Sequence, residues 1–428
     1  MINFGALLSN TSNFLYTYIL IALLIFAGLY FTVRTRGVQF RLFPEALRVL
    51  GEKKKDGKDI SSFQALMIST ASRVGTGNIA GVANAIIAAT VIGGYGAVFW
   101  MWLLALIGAA SAFIESTLAQ CYKEKHGDNW VGGPAYYIQK ALGSRFFGVV
   151  FAVLLIACFA YGFNALQAYN AGSALQYYLP GYSESVWPAV VGAALALLTG
   201  LCIFGGVRRI SAITSGIVPV MAAIYIALGL FITVKNIGQV PYMLSMIVSQ
   251  AFDPKAMFAG IGASCIMQGI KRGLYSNEAG MGSAAIPAAS AATDSPARQG
   301  YVNMTGVFFD TTVICTVTGL CICASGVLGT ADASGGQVNG VALTALAFKT
   351  VLGPLGGLLV SLGIVLFAFS TILGWEFCGE TAFAFLFGRR AIPLYRILFA
   401  LAAFLGATQS LEVVWNLSDI FNALMAVP

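Results

Sequence analysis

The chain has 428 residues, 58% of them hydrophobic and only 10% charged, with a net charge of +7. Soluble domains carry roughly 25% charged residues, and a soluble core could not hide this much apolar surface, so the composition excludes an ordinary cytosolic or secreted protein. A transmembrane β-barrel is excluded as well, because the apolar stretches run on as helix-length blocks instead of alternating over about ten residues.

Taken in chain order, eleven stretches reach the roughly 20 residues needed to cross a bilayer as a helix. They fall at 14–33, 61–91, 94–122, 146–178, 186–205, 210–234, 256–291, 301–329, 353–387, 391–409 and 411–428. The first lacks a basic leader and a small-residue cleavage site, so it reads as a retained helix rather than a signal peptide. The last stops at Pro428 without a polar tail, as a helix cut short would. The expected fold is therefore an all-α polytopic membrane protein of eleven transmembrane helices. The eight cysteines lie in or at the ends of apolar stretches and show neither a disulfide framework nor zinc spacing.

The loops at 34–58, 123–145, 206–210, 292–298 and 388–396 hold 18 of the 24 Lys and Arg residues, and the opposite side has only Lys235, Lys255 and Lys349. Basic loops stay cytoplasmic, so the N-terminus is expected outside a multi-pass protein of the cell membrane. The positive charge is a topology signal and calls for no nucleic-acid partner.

With the first stretch set aside, ten remain, and they divide five and five. The expected organisation is an N-terminal helix with its basic loop over 1–60, a first repeat over 61–236 and a second over 237–428. Each half opens on a stretch interrupted by Gly and polar residues, Gly75-Thr76-Gly77-Asn78 in one and Gly273 to Gly280 in the other. Each half also has an unusually long third stretch, preceded by a short similar segment: AYYIQKALG at 135–143 and ALTALAFKTVLG at 342–353. The loop charges put these segments on opposite sides of the membrane, as an inverted-topology repeat requires, and paired broken helices point to a secondary-transporter binding site.

A helix broken in the bilayer exposes N–H and C=O groups that lipid cannot satisfy. The N–H groups suit a carboxylate and the carbonyls suit a cation, so a zwitterionic amino acid matches both. SRVGTGNIAGVANAI at 72–86 together with RGLYSNEAGMGSAA at 272–285 resembles the alanine or glycine:cation symporter family, sodium-coupled carriers with the inverted-repeat fold of the bacterial leucine transporter. The resemblance extends over essentially the whole chain. It implies that the Thr76 and Gly77 amides hold the substrate carboxylate with Asn78 nearby. It also implies that Ala71 and Val74 offer carbonyl oxygens to sodium, joined by the Phe367 carbonyl and the Ser370 and Thr371 hydroxyls. Those last three stand at i, i+3 and i+4 on one helix face, and sodium is a hard cation that takes oxygen ligands.

On the other long stretch, Asn164 and Gln167 share a face, and the resemblance assigns them to the substrate. Ser276 and Asn277 are the expected contacts from the second break, and Trp375, four residues after Thr371, is expected to cap the pocket. Arg73 requires an acid, for which Glu115 and Glu278 are the candidates. Enzyme chemistry has little footing: the only histidine, His126, lies in a basic loop, and no cluster has triad or metal spacing. The expected activity is sodium-coupled symport of small neutral amino acids, alanine and glycine, with sodium as coupling ion and no organic cofactor; the alternatives are a carrier of the same fold for another amino acid or with proton coupling and, further off, an ion channel or an intramembrane enzyme.

Overall fold

The computed structural model describes residues 4–51, 60–89, 94–126, 129–176, 178–179, 181–257, 264–331 and 337–428. Lys53, Lys54, Lys55 and Lys58 of the expected cytoplasmic loop lie outside the described residues. Apart from one short hairpin, Glu124–His126 with Asn129–Val131, and two isolated bridges, the described regular structure is helical.

Seven described helices are long and apolar enough to cross a membrane: Leu7–Arg34, Gly96–Tyr122, Arg145–Gln176, Gly206–Lys235, Pro296–Ser325, Pro354–Phe387 and Arg389–Ala407. Their outward side chains, such as Val220, Ile224 and Phe231 on one and Leu398 and Leu401 on another, stay exposed. Lipid would cover them without any cost of burial. The other four expected stretches hold shorter helices. Trp187–Ile203 and Leu411–Met425 are short but continuous, and the remaining two are interrupted.

The first interrupted stretch runs as Ser62–Arg73, a single 3₁₀ turn Thr76–Asn78, and Ala80–Ala88. Its start is fixed by a capping box: the Ser61 hydroxyl accepts from the Gln64 amide at 3.1 Å and the Gln64 side chain accepts from the Ser61 amide at 3.0 Å. The second runs as Cys265–Asn277 and Ala285–Ser290, and Ser264 caps it through the Met267 amide at 3.1 Å. Glu278, Gly280 and Gly282 all take positive φ across this break. The first break falls where the sequence pattern puts it, whereas the second begins later than expected: Gly273–Asn277 complete the helix, and the chain leaves it only at Glu278, before the next helix starts at Ala285.

Three features depart from the sequence expectation. The 34–58 segment is not only a loop, since Phe43–Leu50 is an amphipathic helix whose Ala46 and Val49 are buried. On its exposed face Arg48 makes two hydrogen bonds to Glu45, at 2.7 and 2.8 Å, which hold that carboxyl below its usual range. A second addition is the helix Val240–Ala251. The third is a set of π-helical turns inside long helices, at Leu15–Leu20, Ala157–Phe163 and Phe308–Cys315.

Those three turns surround one element. Lys271 of Cys265–Asn277 lies over the Tyr16 ring at 4.8 Å, Tyr275 meets Phe163 at 4.8 Å between centroids, and Ser276 bonds to Asp310 at 2.9 Å. A further tie comes from the last helix, where Asp419 pairs with Lys271 at 2.6 Å and Arg272 at 3.2 Å, all three buried. At the other end, Ile60 bridges Ala291, so the beginning of the first interrupted stretch is joined to the end of the second. Gln120 and Lys123 also donate to the Ala291 carbonyl, at 2.9 and 2.8 Å.

Candidate binding site at the two helix breaks

Both breaks meet near the middle of the long helices Arg145–Gln176 and Pro354–Phe387. Gly75 is there because nothing larger fits: a Cβ on it would lie 2.5 Å from Thr371 Oγ1 and 3.0 Å from Gln167 Nε2. Gly77 is similarly confined, with a Cβ position 2.7 Å from the Tyr275 ring. Gly75 lets bare backbone reach both long helices, and Gly77 lets it reach the half-helix Cys265–Asn277.

The expected substrate residues largely converge. The Thr76 amide donates to Gln167 Oε1 at 3.3 Å, and the Thr76 hydroxyl accepts from Asn170 at 2.7 Å. Gln167 donates in turn to the Tyr275 hydroxyl at 3.3 Å. The Asn78 side chain accepts from the Gly75 amide at 3.0 Å and donates to Ser276 Oγ at 2.8 Å and Asp310 Oδ1 at 2.7 Å. Asn277 donates to Thr311 at 3.0 Å and accepts from the Ala279 amide at 3.0 Å, so it closes the break rather than facing Gln167. Each of these polar side chains is buried and bonded, as a dry interior requires.

Asn164, like Asn277, is an exception among the expected substrate contacts. Its amide donates to the Phe399 carbonyl at 2.8 Å and to the Ala160 carbonyl at 3.2 Å. The i, i+3 spacing that placed it on Gln167's face still leaves a large angular offset, enough to turn it to the neighbouring helix Ile392–Ala407.

Of the expected ion ligands, Thr371 and Val74 meet across the first break, while Ser370 and Phe367 bond to each other within their own helix. Thr371 Oγ1 lies 3.4 Å from the Val74 carbonyl, and Ser370 Oγ bonds back to the Phe367 carbonyl at 3.0 Å. Ala71 is buried one turn before Val74. Gly374 permits this approach, since a Cβ on it would stand 2.5 Å from the Ser72 amide nitrogen. Met221 Sδ, 3.6 Å from Ser370 Oγ, is a soft neighbour to that hydroxyl.

Trp375 is buried and stacks among aromatics, 4.7 Å from Phe163, 5.7 Å from Phe159 and 6.4 Å from Tyr275. Its indole N–H donates to Glu278 at 2.7 Å. Arg73 forms its hydrogen bonds with the Ser69 carbonyl, the Ser69 hydroxyl at 2.8 Å and Asn303 at 3.3 Å. The acids whose fields reach it are Asp310, Glu278 and Glu115. Glu115 itself accepts from the Gly282 amide at 2.8 Å, holding the second break from behind.

Sequence reasoning did not assign Tyr275, Asp310 or Thr311 to the site. Asp310 carried a signal, a carboxylate inside an apolar stretch, but its partners come from both breaks and only the folded chain brings them together. Tyr275 was marked only as part of the interrupted run Gly273 to Gly280, and Thr311 carried no signal.

A family model described as "Sodium:alanine symporter family" matches residues 1–428. The chain is 42% identical to the amino-acid carrier protein AlsT of Bacillus subtilis, over 99% of this chain and 88% of that protein. It is 41% identical to the sodium/alanine symporter AgcS of Methanococcus maripaludis, over 100% of this chain and 93% of that one. A probable sodium/glutamine symporter, GlnT of Bacillus subtilis, is 40% identical over 97% of this chain and 85% of its own length. Among solved structures, the complex of MhsT with L-phenylalanine superposes with a TM-score of 0.59 at 16% identity, covering 88% of this chain and 89% of that one.

Proposed function

The chain belongs to the sodium:alanine symporter family, and from that premise we propose that it carries small neutral amino acids, alanine and glycine, together with sodium by alternating access. It is a multi-pass membrane transporter and not an enzyme. One observation carries the finer reading: the carbonyl that meets Thr371 and the amide that suits a carboxylate stand two residues apart in one break. Val74 turns its carbonyl toward Thr371, and Thr76, two residues on, turns its amide toward Gln167. A cation that fixes Val74 fixes the Thr76 amide as well, so each ligand favours the state that binds the other.

The substrate carboxylate would take the place of Gln167 Oε1 on the Thr76 amide, with the Gly77 amide beside it. Its side chain would point toward the wall of Trp375, Phe163 and Tyr275, where every ring is buried and the centroids stand 4.7, 4.8 and 6.4 Å apart. This crowding favours methyl or hydrogen as the side chain over the longer chain of glutamine. Sodium would be held by the Val74, Ala71 and Phe367 carbonyls and the Ser370 and Thr371 hydroxyls.

Support for an inverted repeat comes from the matched breaks. Each begins at a serine cap, and the leading half-helices have 12 and 13 residues. We further propose eleven crossings, the N-terminus outside and residence in the cell membrane. Proteoliposomes with sodium, proton or potassium gradients imposed separately test the function. Alanine accumulation driven by sodium alone is expected. Accumulation driven only by protons would replace the ion, and glutamine taken up in preference to alanine would replace the substrate.

A further inference from the structure

The second break contains a residue that backbone geometry alone would not select. Glu278 takes φ 52°, in the left-handed region, where a side chain costs free energy that glycine avoids. Two other positive-φ positions of the same break, 280 and 282, are glycines. At 278 the side chain is instead retained, fully buried, and both carboxylate oxygens are used. Oε1 accepts from the Trp375 indole N–H at 2.7 Å, and Oε2 accepts from the Ser283 hydroxyl at 2.6 Å.

The indole held in this way is the centre of the aromatic wall. Phe163 lies 4.7 Å from Trp375 and 4.8 Å from Tyr275, and the Tyr275 hydroxyl accepts from Gln167. An unbroken set of contacts therefore runs from the carboxylate in the break to the amide that meets the Thr76 backbone. Without its acceptor the buried indole N–H would be left unbonded, which a dry interior penalises, and the ring would turn to find another partner. The side chain that closes the pocket would then no longer have one orientation.

The geometry points to Glu278 as a positioning residue for substrate size: by fixing the Trp375 indole from within the break, it sets the width of the side-chain pocket. This rests on the symport reading above and deepens it, since the same residue that forms the break also shapes the site. Unwinding or rewinding of the break during transport would move the carboxylate and release the wall, so selection operates only in the closed state.

The test compares Glu278→Ala, Glu278→Gln and Trp375→Phe in sodium-driven alanine uptake, with unlabelled alanine, valine and leucine as competitors. Glu278→Ala and Trp375→Phe are each expected to narrow the preference for alanine over leucine by about tenfold, the scale of one lost buried hydrogen bond. Glu278→Gln, which keeps an acceptor oxygen, is expected to preserve it. The Glu278→Ala/Trp375→Phe double variant should be no worse than either single change.

The same panel is read as amino-acid-induced thermal stabilisation of the purified protein, so that a variant unable to transport still reports its pocket. An unchanged panel in Trp375→Phe, or equal loss of preference in Glu278→Gln and Glu278→Ala, overturns the inference. Absence of sodium-driven uptake by the parent, with ligand stabilisation still ranked by size, strikes the transport reading and leaves the pocket assignment standing.

Discussion

At the scale of single residues, the ion site can be separated from the substrate site. Thr371→Ala and Ser370→Ala each remove one oxygen from a set of about five, which should cost on the order of 1–3 kcal/mol, or roughly 5- to 150-fold in sodium affinity. The measurement is the sodium concentration giving half-maximal alanine uptake. Thr371→Ala should have the larger effect, because its hydroxyl reaches across to Val74 whereas Ser370 bonds within its own helix. Parent-like sodium dependence in both variants would remove these hydroxyls from the ligand set. Residues of this kind were legible in the sequence where a motif and a helix period agreed, as for Thr76, Gln167 and Thr371. Asn164 shows the limit. Period alone gave it the same face as Gln167, but which neighbour faces that edge of the helix is decided by tertiary packing, and Phe399 is there.

At the scale of elements, the two breaks were readable because unsatisfied backbone in a bilayer leaves a compositional mark of Gly and small polar residues. The helix Phe43–Leu50 was hidden by its charge, since a basic segment reads first as a topology signal. The π-helical turns leave no mark in composition, because they change hydrogen-bond register and not residue type. The Ile60–Ala291 bridge gives these elements a testable function. It ties the cytoplasmic ends expected for both interrupted stretches, and alternating access requires such ends to part. Cysteines at 60 and 291 in a Cys-free background stand on bridged positions, close enough for a disulfide. Oxidation should stop uptake by more than about tenfold and reduction should restore it. Full activity after verified crosslinking would mean that these ends stay together throughout the cycle.

At the scale of the whole molecule, the charge asymmetry of the loops predicts one orientation. A cysteine replacing Lys140, in the helix Pro134–Ala141, should resist an impermeant thiol reagent added outside intact cells and react in inverted vesicles, whereas one replacing Lys235 should do the reverse. Rapid outside labelling at 140 would invert the topology while leaving the site intact, since the site depends only on how the elements pack.

The ring of three π-helical turns around Cys265–Asn277 has a consequence of its own. Each such turn accommodates one residue more than a regular α-helix would, so each surrounding helix carries a stored unit of slack at the level of that half-helix. Slipping that extra residue along its helix rotates the side chains beyond it by about 100° without moving the helix as a body. Phe163, Tyr16 and Asp310 can then follow the half-helix while their own helices stay seated in the bilayer. In the proposed alternating-access cycle the outer scaffold would work as a set of adjustable bearings around one shaft. Hydrogen exchange should report it, with amides at 157–163 and 308–315 exchanging faster than the flanking turns of the same helices and slowing when sodium and alanine are added together. Deleting Ala160 should remove the extra residue and make that helix regular with Gln167 still on the Thr76 amide, so that the bearing is fixed in one setting, ligand binding is kept, uptake is lost and the protein still folds.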